Sequence, residues 1–287
     1  LVLNGANAHA GATSVEAGTL KLGHATALGT AAAGTTVSSG AVLDLNGQNV
    51  SNAEALSITG TGVSSGGALI NSSATAATYA GLVTLAGDTS IVGDTGTIAL
   101  SNTGTISGTY NLTLGGAQGG SITSIVGIST GSLTKVGAGT WTKSGLNTNT
   151  GGTSINAGVL KAGSAKPFGA SSGSVTVADG AVLDLNGQTL TNTNALTLNG
   201  LGISTSGALT NSSATTGVYA GAITLGSISA IGGTGGTVSV TGAISDSANS
   251  YGLVLIGNKA VSLSSTSNAL RTIATNATVG AITIVNT

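Results

Sequence analysis

Reactive side chains are scarce in this sequence and widely scattered. The acids are Glu16, Asp44, Glu54, Asp88, Asp94, Asp179, Asp184 and Asp246. Two carboxylates can do acid–base work on a glycosidic bond only when one groove holds them about 5–10 Å apart. Asp44 and Asp184 sit in identical octapeptides 140 residues apart. In a stacked-strand fold that spacing is about seven coils, or roughly 30 Å, so the two cannot cooperate. They read instead as turn or strand-edge residues that hydrogen-bond locally. Asp88 and Asp94, with Gly93 and Gly96 nearby, offer a cation loop at most, and read more simply as a solvated turn. Calcium takes about six to eight oxygens, and neither an EF-hand loop nor a Gly-Gly-x-Gly-x-Asp nonapeptide is present. His9 and His24 have no third ligand at metal-site spacing and read as exposed loop histidines. No Gly-x-Ser-x-Gly elbow accompanies the many serines, and Gly232–Gly236 lacks the Lys-Ser/Thr and helix of a phosphate loop. No catalytic, cofactor-binding or metal-binding residue is assigned, and the chain reads as a non-enzyme without a cofactor.

The aromatic and amide residues point the same way. Tyr79 with Tyr219, and Tyr110 with Tyr251, recur in pairs, which suits packing at equivalent places, with sugar stacking as the alternative. Trp141 and Phe168 occur in one segment only, and read as packing over a corner or as an exposed contact point. Asn71, Asn111, Asn211 and Asn276 satisfy Asn-x-Ser/Thr, a pattern that arises by chance in so Ser/Thr-rich a chain.

Elements able to carry such a sequence must be thin. The 287 residues include 49 Gly, one Pro and no Cys or Met, and only 5% are charged against 40% hydrophobic. A compact globular domain carries about 25% charged residues, and a disordered chain combines low hydrophobicity with high charge. Neither description fits. Isolated Val, Ile and Leu among small residues suit closely stacked strands, where Asn, Thr and Ser bond along the stack while like charges repel across rungs about 4.8 Å apart. Without Cys there are no disulfides or thiolate metal sites. No apolar stretch is long enough for a membrane-spanning helix. Seven Lys plus Arg against eight Asp plus Glu leave no basic patch for nucleic acid.

The chain repeats itself. Ala41–Gln48 recurs unchanged as Ala181–Gln188, and at the same offset Asn71–Ala74 matches Asn211–Ala214 and Tyr79–Gly81 matches Tyr219–Gly221. Two copies are expected, 1–140 and 141–287, the second diverging over 260–287. Within each, period-2 strands such as Val42–Leu45 alternate with Asn-Gly or Gly-Gly turns, and no helical period persists. Asn-Gly is also a hairpin signal, so local antiparallel pairing stays open. The many short strands and the lack of bulky residues favour an all-β parallel solenoid. Turns at Gly40, Gly60 and Gly81 predict coils of roughly 20 residues, about 14 in all.

Leu133 to Thr142 (Leu-Thr-Lys-Val-Gly-Ala-Gly-Thr-Trp-Thr), then Gly145-Leu146-Asn147 and Gly151 to Leu160, closely resembles the autotransporter-associated β-strand repeat of bacterial passengers. Its second half recurs over Leu1 to Leu22, through Gly5, Asn7, Gly11, Thr13, Ala17-Gly18 and Leu20. Trp141 stands in place of a small aliphatic residue, and Ala12 interrupts one Gly-Gly pair. The resemblance implies a right-handed parallel β-helix, export to the outer-membrane surface of a Gram-negative-type bacterium, and a translocator domain elsewhere in a longer polypeptide. That the chain opens in mid-motif carries the same expectation. The function expected is an extracellular scaffold or fibre segment that associates with itself or with neighbouring repeats. An adhesin binding host or carbohydrate ligands is the alternative, and a glycan-active β-helix enzyme comes third.

Overall fold

The computed structural model describes residues 1–275 and 280–284. The chain is an all-β parallel solenoid whose described residues make about 13 turns. Helix is confined, among those residues, to single 3-10 turns at Val63–Ser65 and Ile203–Thr205. Contacts group the chain into two compact units, Leu1–Asn149 and Thr150–Thr287.

In the first unit each strand pairs in parallel with the strand one coil away. Gly18–Leu22 lies against Ala41–Asp44, which lies against Leu69–Asn71, which lies against Val83–Gly93. Registered partners are roughly 19 to 29 residues apart, Val2 with Lys21 at the short end and Asn49 with Thr78 at the long end. Every rung therefore stacks on a residue far away in sequence but equivalent within its coil. Leu20, Leu43, Leu69, Ile91 and Leu114 form one such column, all of them buried. Burying each of these side chains contributes about 1.5–3 kcal/mol relative to exposure. Thin coils with no large side chains supply a core this way because each aliphatic group is covered from the coils on both sides.

The second unit follows the same pattern, with a column of Leu160, Leu183, Leu209, Ile231 and Leu255. Even the irregularities correspond: the register slips between Leu85 and Thr89 in the first unit and between Leu198 and Gly200 in the second.

The Asn-Gly turns are not hairpins. Asn46 and Gly47 have φ of 49° and 75°, and Asn186 and Gly187 have 49° and 73°. These are the left-handed values that an Asn-Gly pair accepts with little strain. The turn closes through Gln48 N–H to Leu45 O at 2.8 Å, but the strand before it pairs in parallel with other coils. Asn-Gly thus makes a corner within a coil. Strict alternation also breaks at this strand, since Val42, Leu43 and Leu45 are all buried, as are Val182, Leu183 and Leu185. Both faces of Ala41–Asp44 and Ala181–Asp184 are covered.

Candidate functional site

The acids serve the coil corners. Asp44 is 2% exposed; its Oδ1 accepts from Asn46 N–H (2.9 Å) and Ser72 N–H (3.1 Å), and its Oδ2 accepts from Ser72 Oγ (2.6 Å). Asp184 does the same for Asn186 and Ser212. Lys21 and Lys161 stand 3.7 Å from Asp44 and Asp184. Each carboxylate thus ties one coil's turn to the next, with its lone pairs occupied by backbone and hydroxyl donors. Buried Asn71 continues the tie, accepting from Gly47 N–H and donating to Thr75 O and Thr97 O.

Other ionisable groups lie apart from these. Asp88 is exposed and holds Asn111, which in turn holds Ser132. Glu16, Asp94 and Asp179 are exposed. His9 and His24 are exposed and bond to Thr13 and Thr26 respectively. No group of three His, Cys, Asp or Glu with metal-binding geometry occurs among the described residues. Near the end of the second unit Asp246 and Arg271 pair at 3.8 Å in an open cleft of about 350 Å³, with Ser245 and Asn268 alongside.

Besides the aspartates at the corners, three more ionisable side chains are buried: Lys135, Lys143 and Glu54. Lys135 closes the first unit's leucine column, stacked on Leu114, and Lys143 follows Val50, Tyr79, Leu100 and Ile122 in a second column. Both lysines are fully buried. Lys135 Nζ donates to Val136 O (2.9 Å) and Gly137 O (2.7 Å). Lys143 Nζ is buried without a hydrogen-bond partner. Burial pushes the Lys135 amine down to about 8 and the Lys143 amine down to about 7. Glu54, 1% exposed, is the third; burial pushes its carboxyl above the usual carboxylate range, against the opposing pull of Thr35, His9 and Asn52. The lysines had a signal in the sequence. Leu133-Thr134-Lys135 and Trp141-Thr142-Lys143 put each lysine on the same strand face as a large apolar residue.

The aromatic residues divide. Tyr79 and Tyr219 are fully buried and donate to Glu54 O (2.8 Å) and Asn194 O (2.7 Å), and burial pushes both phenols up. Tyr110, expected to pack as they do, is 41% exposed. Trp141 is no exposed contact point: it lies inside, its Nε1 donating to Gly115 O at 2.9 Å, and Phe168 is buried as well. Asn71 and Asn211 are wholly buried, Asn111 is exposed, and Asn276 lies outside the described residues.

Two segments, residues 1–22 and 133–162, match the passenger-associated transport repeat. Comparison with curated proteins and with solved structures returns no match. The first matched segment takes in strands Val2–Leu3, Thr13–Val15 and Gly18–Leu22, and the second Leu133–Lys135, Thr140–Lys143, Thr153–Ile155 and Gly158–Ala162. Repeat and solenoid together fit an autotransporter passenger repeat protein, which is a surface or secreted kind of protein with a structural fold. No described helix is long and apolar enough to cross a membrane.

Proposed function

We propose that this chain is an extracellular scaffold or fibre segment of a Gram-negative-type surface protein, and that its lateral or terminal surfaces associate with copies of itself or with neighbouring repeats. The observation that carries the reading is the passenger repeat set in a solenoid whose buried carboxylates at Asp44 and Asp184 are saturated by its own turns. Groups used up in holding coils together are not free for general acid or base work. The division into repeat copies over 1–140 and 141–287 is part of the proposal, and the equivalent networks at Asp44 and Asp184 support it. The test is sedimentation of the purified segment: concentration-dependent assembly supports the scaffold, and a monomer at every concentration overturns it.

One observation favours a second reading, carbohydrate adhesion: the half-exposed Tyr110 ring adjoins Asn111, which is bonded to exposed Asp88. A glycan array with the segment and its Tyr110→Ala variant distinguishes the two.

A further inference from the structure

The turn after Asn52 holds a carboxyl group where its counterpart in the second unit, 140 residues on, holds an amide, Asn194. Glu54 Oε1 accepts a hydrogen bond from Thr35 Oγ1. Glu54 Oε2 is buried with no hydrogen-bond partner, and so is the amide oxygen of Asn52. The Asn52 orientation is set by its Nδ2, which donates to Gly29 O at 2.8 Å. Its side chain adjoins the Glu54 carboxyl, and its pull toward the ionised form is outweighed by burial. Both orphaned oxygens are buried in this corner. Leaving both unsatisfied keeps the desolvation penalty of two buried acceptors, and one proton on Oε2 removes it.

We propose that the folded protein holds Glu54 as the carboxylic acid, donating Oε2–H to Asn52 Oδ1, and that this proton is a pH-sensitive latch on its corner of the first unit.

The second unit shows what the corner looks like without the acid. Asn194, at the place of Glu54, is a permanently neutral donor, bonding Ala170 O at 2.6 Å and Gly173 O at 2.7 Å. Val175 stands at the place of Thr35 and pairs with Leu196 as Thr35 pairs with Leu56. Acid and hydroxyl therefore occur together or not at all, and where the acid is absent a neutral amide replaces it. The titratable groups that face Glu54 are His9 and Tyr79. His9 is exposed; it bonds Thr13, whose strand registers with that of Thr35, lies against Gly29, whose carbonyl holds Asn52, and favours the ionised carboxyl. Tyr79 donates its hydroxyl to the Glu54 backbone carbonyl and not to the carboxyl. Neither bonds the carboxyl directly, and burial outweighs the pull of His9. The corner also lacks room to rearrange: a Cβ on Gly81 would lie 1.6 Å from Glu54 O.

The direction of the pH effect follows. The carboxyl keeps its proton in the folded chain to a higher pH than in the unfolded chain, where its ordinary value is 4.5. Folded-state stability therefore falls as pH rises from about 4.5 to the folded titration point, and is level beyond it. Within the folded state, ionisation removes the Oε2–H bond, sets a carboxylate against Asn52 Oδ1 and opens the turn.

The experiment is carbon-13 carboxyl NMR of the whole chain from about pH 3 to 9, with exposed Glu16 as internal reference, together with amide exchange. The reporter amides are Thr35 and Leu56, which donate to Ala55 O and Leu82 O, and their counterparts Val175 and Leu196. Glu54 is expected to titrate above the ordinary glutamate value of 4.5. Protection at Thr35 should fall about ten-fold or more, corrected for intrinsic exchange, as Glu54 ionises, while Val175 stays level. Glu54→Gln keeps a neutral donor and should keep Thr35 protected at every pH. A Glu54 that titrates at or below 4.5 overturns the proposal. So does a Glu54→Gln chain that retains the wild-type pH dependence of exchange. Should that variant not fold, the double variant Thr35→Val with Glu54→Asn imports the other unit's solution and should show the same level profile.

Discussion

Lys143 is the side chain whose surroundings suit it least. Its amine is unpaired and enclosed by an apolar column, an arrangement that costs about 1–3 kcal/mol even when the group is neutral. Lys143→Leu extends the column from Ile122 and should raise stability at pH 7 by about 1–3 kcal/mol in urea unfolding. The wild type should show a matching pH dependence. Between about 7 and the ordinary lysine value of 10.5, the unfolded amine holds a proton that the folded amine has lost. The unfolded state then binds more protons, so stability rises with pH across that window. Lys135 adds the same slope from about 8 upward. A flat profile from pH 7 to 10.5 would show that the amines reach water. The aspartates are the opposite case, being fully partnered. Asp44→Asn and Asp184→Asn should each cost about 1 kcal/mol and resemble one another, because both retain the Oδ1 acceptor and lose one charged contact to Ser72 or Ser212. The half-buried partners Lys21 and Lys161, each 3.7 Å away, add little. Unequal costs would mean that the two corners differ in some way their bonding pattern hides.

Elements here are held by close backbone approach more than by bulk, so glycine positions differ sharply in tolerance. Gly81 and Gly221 lie where a Cβ would meet Glu54 O and Asn194 O, at 1.6 and 2.0 Å. Backbone cannot yield as the end of a side chain can, so Gly81→Ala and Gly221→Ala should each destabilise by about 2 kcal/mol or more. Gly11 has open space around its Cβ position and no left-handed φ. Gly11→Ala should be neutral or stabilise by up to about 1 kcal/mol, through the lower entropy of the unfolded chain. Thermal unfolding of the three variants checks the contrast, and equal losses at Gly11 and Gly81 would contradict it.

For the molecule as a whole, the decisive quantity is the shortage of charge. With seven Lys plus Arg and eight Asp plus Glu in 287 residues, and with Lys135, Lys143, Asp44, Glu54, Asp184 and Asp246 buried, little charge is left outside. Contacts between copies would then bury mainly Ala, Val, Thr, Ser and Asn. Screening acts only on charges that are present. Association of the segment should therefore change little in light scattering across about 0.01–1 M salt, where the Debye length falls from about 30 to 3 Å. An assembly that dissolves as salt rises would show that ion pairs hold it together.

Much of this was legible before any coordinates. Alternation in Leu133–Lys135, the Asn-Gly corners, the small-residue composition and the passenger motif are local properties, and they suffice for strands, turns and a parallel solenoid. The octapeptide Ala41–Gln48 and its twin already implied that Asp44 and Asp184 share one role. What local pattern could not decide is which residues stack on which, because each rung is set by a partner roughly 19 to 29 residues away whose distance varies with the loop between them. Only that stacking puts Lys143 above Ile122, covers both faces of the strand containing Val42, turns Trp141 inward, and leaves Glu54 and Asn52 each with a buried oxygen that has no hydrogen-bond partner. A residue's parity on its strand can be read from the chain, but its dielectric surroundings depend on the coils above and below it, and those are brought there by folding.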